Sequence, residues 1–332
     1  MSRAPHQRGF SIVELMVAMT LSLILLAGVL AVLYSSKVTY AENERVARLQ
    51  ENARASVDLM LRDMRSGGFR GCARPVRPQD FENLMPTPTA LLWNFGEPIR
   101  GFEGSSGVFV PALDVALIPA ALPNSDVIVV RAVTPGMSSL RVNADMPNGA
   151  ANVTVNKAVG LVWPNNSPIL VSNCDRSSVF PMVAMIDGGA TATLTHGAVN
   201  IGVFREGAIA SPLATVIYYV RNGAAGQPSL WRRVGTAAPQ EVVEGVERIE
   251  ARYGEDTNGD LLADNYVAAD AVVTWDNVVA VELAVLIRST EQLGPNELSR
   301  PFQMLDVAVP AFNDRFQRTM FTTTATLRNR AL

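Results

Sequence analysis

Residues 8–19 read RGFSIVELMVAM, and one acidic side chain, Glu14, interrupts an otherwise uncharged run that starts at Gly9. Behind it lie 22 residues, LMVAMTLSLILLAGVLAVLYSS (15–36), with no charge at all. A helix needs about 20 mostly apolar residues to cross a bilayer. A carboxylate in or beside such a helix is costly and usually has a specific partner. Arg3 and Arg8 precede the run and Lys37 follows it. The basic end is therefore expected to stay inside, with the bulk of the chain across the membrane. A cleaved secretory signal would have a shorter apolar core and then a small-residue cleavage site. A core helix of a soluble protein seldom starts so near a basic N-terminus and runs so long.

Helical character continues past Ser36. Val38, Ala41, Val46, Leu49, Ala53, Val57, Met60 or Leu61, and Met64 follow in steps of mostly three and four, an amphipathic stripe. Charged residues fill much of the rest, and Glu44–Arg48 and Asp58–Arg62 have acid-before-base i,i+4 spacing. Gly67 and Gly68 are expected to end the helix. From Glu14 to Ser66 is 53 residues, about 80 Å of helix. The first half belongs in lipid or against other helices; the second has one face to lay on a folded domain.

After Gly68 the pattern changes to short β-rich runs between Pro, Gly, Asn and Asp. Residues 75–105 carry five prolines, at 75, 78, 86, 88 and 98, and read as irregular loop. DVIVVRAV (126–133) reads as a buried strand, and TVIYYVRN (215–222) with SLWRRV (229–234) as a hairpin. VERIEARYG (246–254), VVAVELAVLIRS (278–289) and MFTTTATLRN (320–329) alternate. The expected fold class is α+β: a long N-terminal helix, transmembrane then amphipathic, packed on an antiparallel sheet. Residues 134–214 are rich in small side chains and read as an inserted subdomain.

GFSIVELMVA resembles the class III signal of type IV prepilins. The resemblance implies a leader of Met1–Gly9, cut after Gly9 by a dedicated peptidase, with Phe10 as the new, N-methylated first residue. Glu14 then becomes fifth in the mature chain, where the family places its assembly carboxylate. Ser11, Ile12 and Val13 stand where the family often has Thr-Leu or Thr-Leu-Ile. QENARASVDLMLRDMRSGGFRGC (50–72), SDVIVVRAV, VSNCD, VEGVERIEARYGEDTNGD and RTMFTTTATLRNR resemble PilW-type minor pilins, so the likeness extends over most of the chain. The implied organisation is leader 1–9, membrane half of the helix 10–36, amphipathic half 37–68, and an exported periplasmic domain 69–332. The implied function is a minor subunit that helps initiate type IV pilus assembly, sits at or near the tip, and serves twitching and adhesion through the fibre. Its partners would be the prepilin peptidase and N-methyltransferase, other minor pilins, the major pilin, the inner-membrane platform and the bilayer. The larger J-type pseudopilin of a type II secretion system is the nearest alternative.

The physics of the N-terminus agrees with that implication. A cut at Gly9 exposes an amine at Phe10, a cation near the membrane core. Glu14 can pair with the amine of a neighbouring subunit and set register, because removing either partner leaves an unpaired buried charge. The plainer reading leaves Glu14 at headgroup level, solvating the helix end.

Two cysteines, Cys72 and Cys174, in an oxidising compartment point to a disulfide, and only one pairing exists. Asp256, Asn258, Asp260 and Asp264 occupy positions 1, 3, 5 and 9 of an acidic loop, DTNGDLLAD. Oxygen ligands at alternate positions suit calcium. The stretch departs from an EF-hand or dockerin-type loop at Leu261, where a glycine is expected, and at Val267, where a carboxylate is; Asp270 is a substitute ligand. The commoner outcome of such a stretch is a solvated Asx turn, so no cofactor is required.

Enzymatic function is not expected. Removing the leader takes His6 and leaves His196 as the only histidine. There is no GxSxG elbow, no HExxH and no phosphate loop ending in GK[ST]. An anchored exported enzyme and a ligand-binding domain are the readings from other classes. GGATATLTHGAVN (188–200) suits edge strands or tip loops. Cleavage removes Arg3 and Arg8 from 28 basic residues, leaving 26 against 31 acidic, a net −5. That balance argues against a nucleic-acid partner, although Arg221, Arg232 and Arg233 could form a local patch.

Overall fold

A computed structural model describes residues 10–72, 80–104, 107–292 and 300–330. The chain divides into two compact units, 1–50 and 51–332. The expected leader, with Gly9, lies outside the described residues.

One helix runs Ile12–Arg65, 54 residues. It starts where Ser11 accepts the Val13 amide on its Oγ at 3.3 Å and the Leu15 amide on its carbonyl at 3.1 Å, a serine cap. Among the described residues it is the one helix long and apolar enough to cross a membrane, and no residue in its most apolar window is buried. Its exposed apolar side chains include Leu15, Leu23, Ile24, Leu25, Leu30 and Leu33, a surface suited to lipid or other helices.

In the second unit, the helix from Glu51 to Arg65 buries Ala53, Val57, Met60, Leu61 and Met64, the stripe expected from spacing. The helix ends as the Ser66 and Gly67 amides fold back on the Asp63 and Met64 carbonyls. Gly68 then takes φ +70°, and a Cβ there would come 2.8 Å from both Pro98 and Arg330 side-chain carbons, so glycine is required for backbone and space alike.

An eleven-stranded sheet is organised by the 14-residue strand Ile209–Asn222. It pairs antiparallel with Val127–Val133, Leu140–Val142, Pro168–Ser172 and Pro228–Val234. The expected hairpin of 215–222 with 229–234 is thus formed. Its residues are buried on both faces: Ile217 and Tyr219 join a core with Leu92, Phe102, Ile118, Val127 and Val129, while Tyr218 turns the other way, toward the helix. Residues 134–214 contribute their own apolar cluster around Trp163, Phe180 and Phe204. Their strands are nevertheless hydrogen-bonded to the rest of the sheet through Ile209–Asn222.

A second, four-stranded antiparallel sheet has the order Asn265–Val267, Val246–Glu255, Val278–Arg288, Arg318–Thr326. One face buries Ile249, Ala251, Tyr253, Val281, Leu283, Val285 and Ile287, the alternation expected. The opposite face is also covered: Ala284 and Leu286 pack with Met304 and Val309 of a small hairpin, Phe302–Met304 with Val307–Val309.

Residues 75–105, expected to be irregular, contain two strands in their described part. Phe81–Asn83 pairs parallel with Ser177–Val179, and Ile99–Phe102 pairs antiparallel with Val127–Val130. Strands of three and four residues between prolines are too short to show alternation. The described architecture is otherwise the α+β arrangement expected: one long helix and a mostly antiparallel β-sheet domain.

Candidate assembly helix and acidic sites

Phe10 is 83% exposed, and Glu14 lies, exposed, in the first turn of the helix. Unpaired N–H groups at a helix start favour a carboxylate there. The local geometry therefore presents Glu14 at the head of an unburied apolar helix.

The other end of the helix is fastened by a buried acid. Asp63 Oδ2 accepts from the Tyr218 hydroxyl at 2.5 Å and from Arg232 Nη2 at 2.7 Å and Nε at 3.1 Å. Burial, then the Asp63 charge, push the pKa of the Tyr218 hydroxyl above its ordinary value, so it stays protonated and donates. Arg232 is committed to this contact, whereas Arg233, on the opposite strand face, donates to the Leu117 and Gly235 carbonyls. Arg221 stacks on the Trp231 ring at 4.2 Å. Arg232 and Arg233 thus do not share a face.

Cys72 and Cys174 are joined by a disulfide, with Cα atoms 4.8 Å apart. The approach depends on Gly71, at φ +72°, where a Cβ would fall 2.4 Å from Ser172 Oγ. That hydroxyl donates to the Arg70 carbonyl at 2.8 Å. The bridge joins the segment after the helix to the segment after the strand Pro168–Ser172.

In the acidic loop the oxygens turn inward. Asp256 accepts the Asn258 and Gly259 amides on Oδ1, at 3.2 and 2.6 Å, and the Leu261 amide on Oδ2 at 2.9 Å. Asp264 Oδ2 accepts the Thr257 amide and hydroxyl at 2.7 and 2.6 Å, which hold its carboxyl below the usual range. Asn258 donates to Asp260 and Asp264. Leu261 adopts φ +68°, so the tight turn forms with leucine in the glycine position, at a conformational cost. Asp270 lies in a short 3-10 turn, Ala269–Ala271. These are the hydrogen bonds of nested Asx turns.

A different acidic group converges. Among the described residues, one set of three acidic side chains has ligand atoms all within 4.8 Å of one another: Glu103, Asp126 and Glu250, each buried. Asp126 receives the Gly104 amide on Oδ1 at 3.0 Å and the Ala251 amide on Oδ2 at 2.9 Å. Glu250 pairs with Arg248. Burial, followed by the charges of Glu250 and Glu103, pushes the Asp126 carboxyl well above its ordinary value. Burial likewise pushes Glu250 up to about 7 against the opposing pull of Arg248. No local sequence pattern links these three; the one hint was an acid, Asp126, heading the apolar run VIVVRAV.

His196 is held between the Gly197 and Ala151 carbonyls, each 3.0 Å from a ring nitrogen, and packs edge-on against Phe180. Its surroundings are those of a structural histidine.

Residues 5–30 match the prokaryotic N-terminal methylation motif. The chain is type IV pilin-like. Residues 217–329 match the family described as Type IV Pilus-assembly protein W. That segment contains the whole four-stranded sheet, its covering hairpin and the strand that carries Arg232. No curated protein and no solved structure matches the chain. The two matches, over residues 5–30 and 217–329, make the chain similar to proteins of pilus-type assembly. Among the described residues one membrane-length helix precedes the β-domain, an arrangement consistent with a single membrane pass.

Proposed function

We propose that this pilin-like chain is a PilW-like minor pilin that helps initiate type IV pilus assembly. The observation that carries the reading is Glu14 at the head of an unburied apolar helix, inside a matched methylation motif. The partial match over residues 217–329 supports the choice of subfamily.

The precursor sits in the inner membrane with residues 69–332 in the periplasm. The prepilin peptidase cuts between Gly9 and Phe10, and the new N-terminus is methylated. The Phe10 amine is then the cation that Glu14 of a neighbouring subunit pairs with. The apolar helix surface supplies packing, while the carboxylate, costly to leave unpaired, selects register. With other minor pilins the protein forms a priming or tip complex on which the major pilin polymerises. Twitching and adhesion follow through the fibre. The acidic loop with Asp256, Asn258, Asp260 and Asp264 is a secondary calcium candidate whose oxygens would have to exchange turn hydrogen bonds for the ion.

The test is the mass of the N-terminal peptide from membrane-extracted protein, with and without the peptidase. A methylated chain starting at Phe10, seen only with the peptidase, supports the reading. A chain that retains Met1–Gly9, or is cut after Ser36, overturns it. A deletion strain then separates the fibres: loss of surface pili supports the pilus, and loss of protein secretion with pili intact supports the J-type pseudopilin.

A further inference from the structure

The register of the strands Ile99–Phe102 and Val127–Val130 sets Phe102 opposite Val127. One step further along the same register brings Glu103 opposite Asp126. The third acid, Glu250, comes from the other sheet, on the strand Val246–Glu255. The Asp126 amide donates to the Ile249 carbonyl at 2.8 Å, and Asp126 Oδ2 takes the Ala251 amide. The acids therefore meet where the two sheets are laced together, with Asp126 oriented by backbone on both sides.

Acidic residues gather on many proteins without a ligand, but a second feature points into this group. The Tyr253 hydroxyl is fully buried and has no hydrogen-bond partner among the described residues. It ends over Gly101, where a Cβ would lie 2.3 Å from it. Gly101 and Glu103 are two apart on one extended segment and so face the same side. The phenol sits in the field of all three carboxylates: after burial itself, the charges of Asp126, Glu103 and Glu250 are what raise its pKa. A buried hydroxyl left without a partner costs about 1–3 kcal/mol, and a buried carboxylate that meets only neutral donors costs more. Asp126 accepts only backbone amides and has no ion-pair partner among the described residues.

We infer that Glu103, Asp126 and Glu250 bind a divalent cation of the calcium class, which clamps the four-stranded sheet to the eleven-stranded one. Two oxygens on one calcium ion lie at most about 5 Å apart, given calcium–oxygen distances near 2.4 Å. The 4.8 Å spread of the acidic ligand atoms fits inside that limit. Magnesium, at about 2.1 Å, spans only about 4 Å and demands a stricter octahedron, so calcium is preferred. The two amides on Asp126 and the guanidinium on Glu250 position the ligands, and Tyr253 supplies a donor to water on the ion. This site is separate from the loop of Asp256, Asp260 and Asp264 and does not depend on the assembly reading.

The experiment uses the full-length protein in detergent, stripped with a chelator and then titrated with calcium chloride or magnesium chloride. Binding is followed calorimetrically and by thermal unfolding. One calcium per chain is expected at this site, with Tm raised by roughly 5 °C or more at a hundredfold excess over Kd, and weaker binding of magnesium. Glu250→Gln should weaken calcium binding at least tenfold, whereas Asp264→Asn, in the loop, should leave it unchanged. If Glu250→Gln fails to fold, terbium bound to the wild-type protein provides the second reading. Emission excited through the nearby aromatics Tyr253 and Trp275, whose ring centroids are 4.8 Å apart, should be displaced by calcium. No calcium binding by the stripped protein overturns the proposal. So does binding that survives Glu250→Gln but is lost in Asp264→Asn.

Discussion

Asp63 is one of ten charged residues between Glu42 and Arg65 along the helix that the spacing assigns to its polar face, yet it is 5% exposed. Its carboxylate satisfies both the Arg232 guanidinium and the Tyr218 hydroxyl. Asp63→Ala leaves a mostly buried cation and a buried phenol without their acceptor, and should destabilise the domain by about 3 kcal/mol. Denaturant unfolding of the purified protein measures this; a change under 1 kcal/mol would mean that water replaces the carboxylate. Leu261 shows the opposite sign. Its φ of +68° strains a branched side chain, so Leu261→Gly should stabilise by about 1 kcal/mol, read as a higher unfolding midpoint. Sequence spacing located the acidic loop and its odd leucine. It did not identify Asp63 as buried, because Arg232 and Tyr218 lie more than 150 positions away. Glu103, Asp126 and Glu250 were out of reach for the same reason: three distant segments supply one acid each.

At the scale of elements, alternation marked the long strands well. Ile249, Ala251 and Tyr253, and then Val281 to Ile287 by twos, are all buried as their period demands. What alternation hid is that Ala284 and Leu286 on the other face are equally buried, under a hairpin of two three-residue strands. A near-continuous apolar run such as VVAVELAVLI signals two covered faces, and that was the legible clue. At the end of this sheet Arg318 donates to Asp314 and Glu247. The Arg318 hydrogen bonds hold the Asp314 carboxyl below its ordinary 3.8. A carboxylate depressed in the folded state adds stability above its unfolded value and loses it as pH falls through the folded one. Stability should therefore decline as pH drops below about 4, and Asp314→Asn should show less of that decline. Thermal unfolding between pH 5 and 2.5 tests it; identical profiles for variant and wild type would exclude the contact as a contributor.

For the whole molecule, the most informative long-range statement in the sequence was its pair of cysteines. A single pairing was available, and the chain makes it across a separation of 102 residues. Loop-closure entropy puts the upper contribution of such a bridge near 4.7 kcal/mol, and Cys174→Ser should cost about 2–5 kcal/mol. Unfolding with and without reductant measures it, and the variant should be insensitive to reductant. The bridge also changes how the chain would carry load. Tension entering the domain through the helix reaches Cys72 and passes covalently to Cys174. The residues between them form a closed loop outside the line of force, including the strands Ile99–Phe102, Val127–Val133 and Pro168–Ser172. At about 3.5 Å per extended residue, roughly 350 Å of contour is withheld from stretching. A chain pulled by its helix would then load the Asp63 anchor at the helix end and, beyond the bridge, only residues after 174, where the central strand and the four-stranded sheet bear the strain.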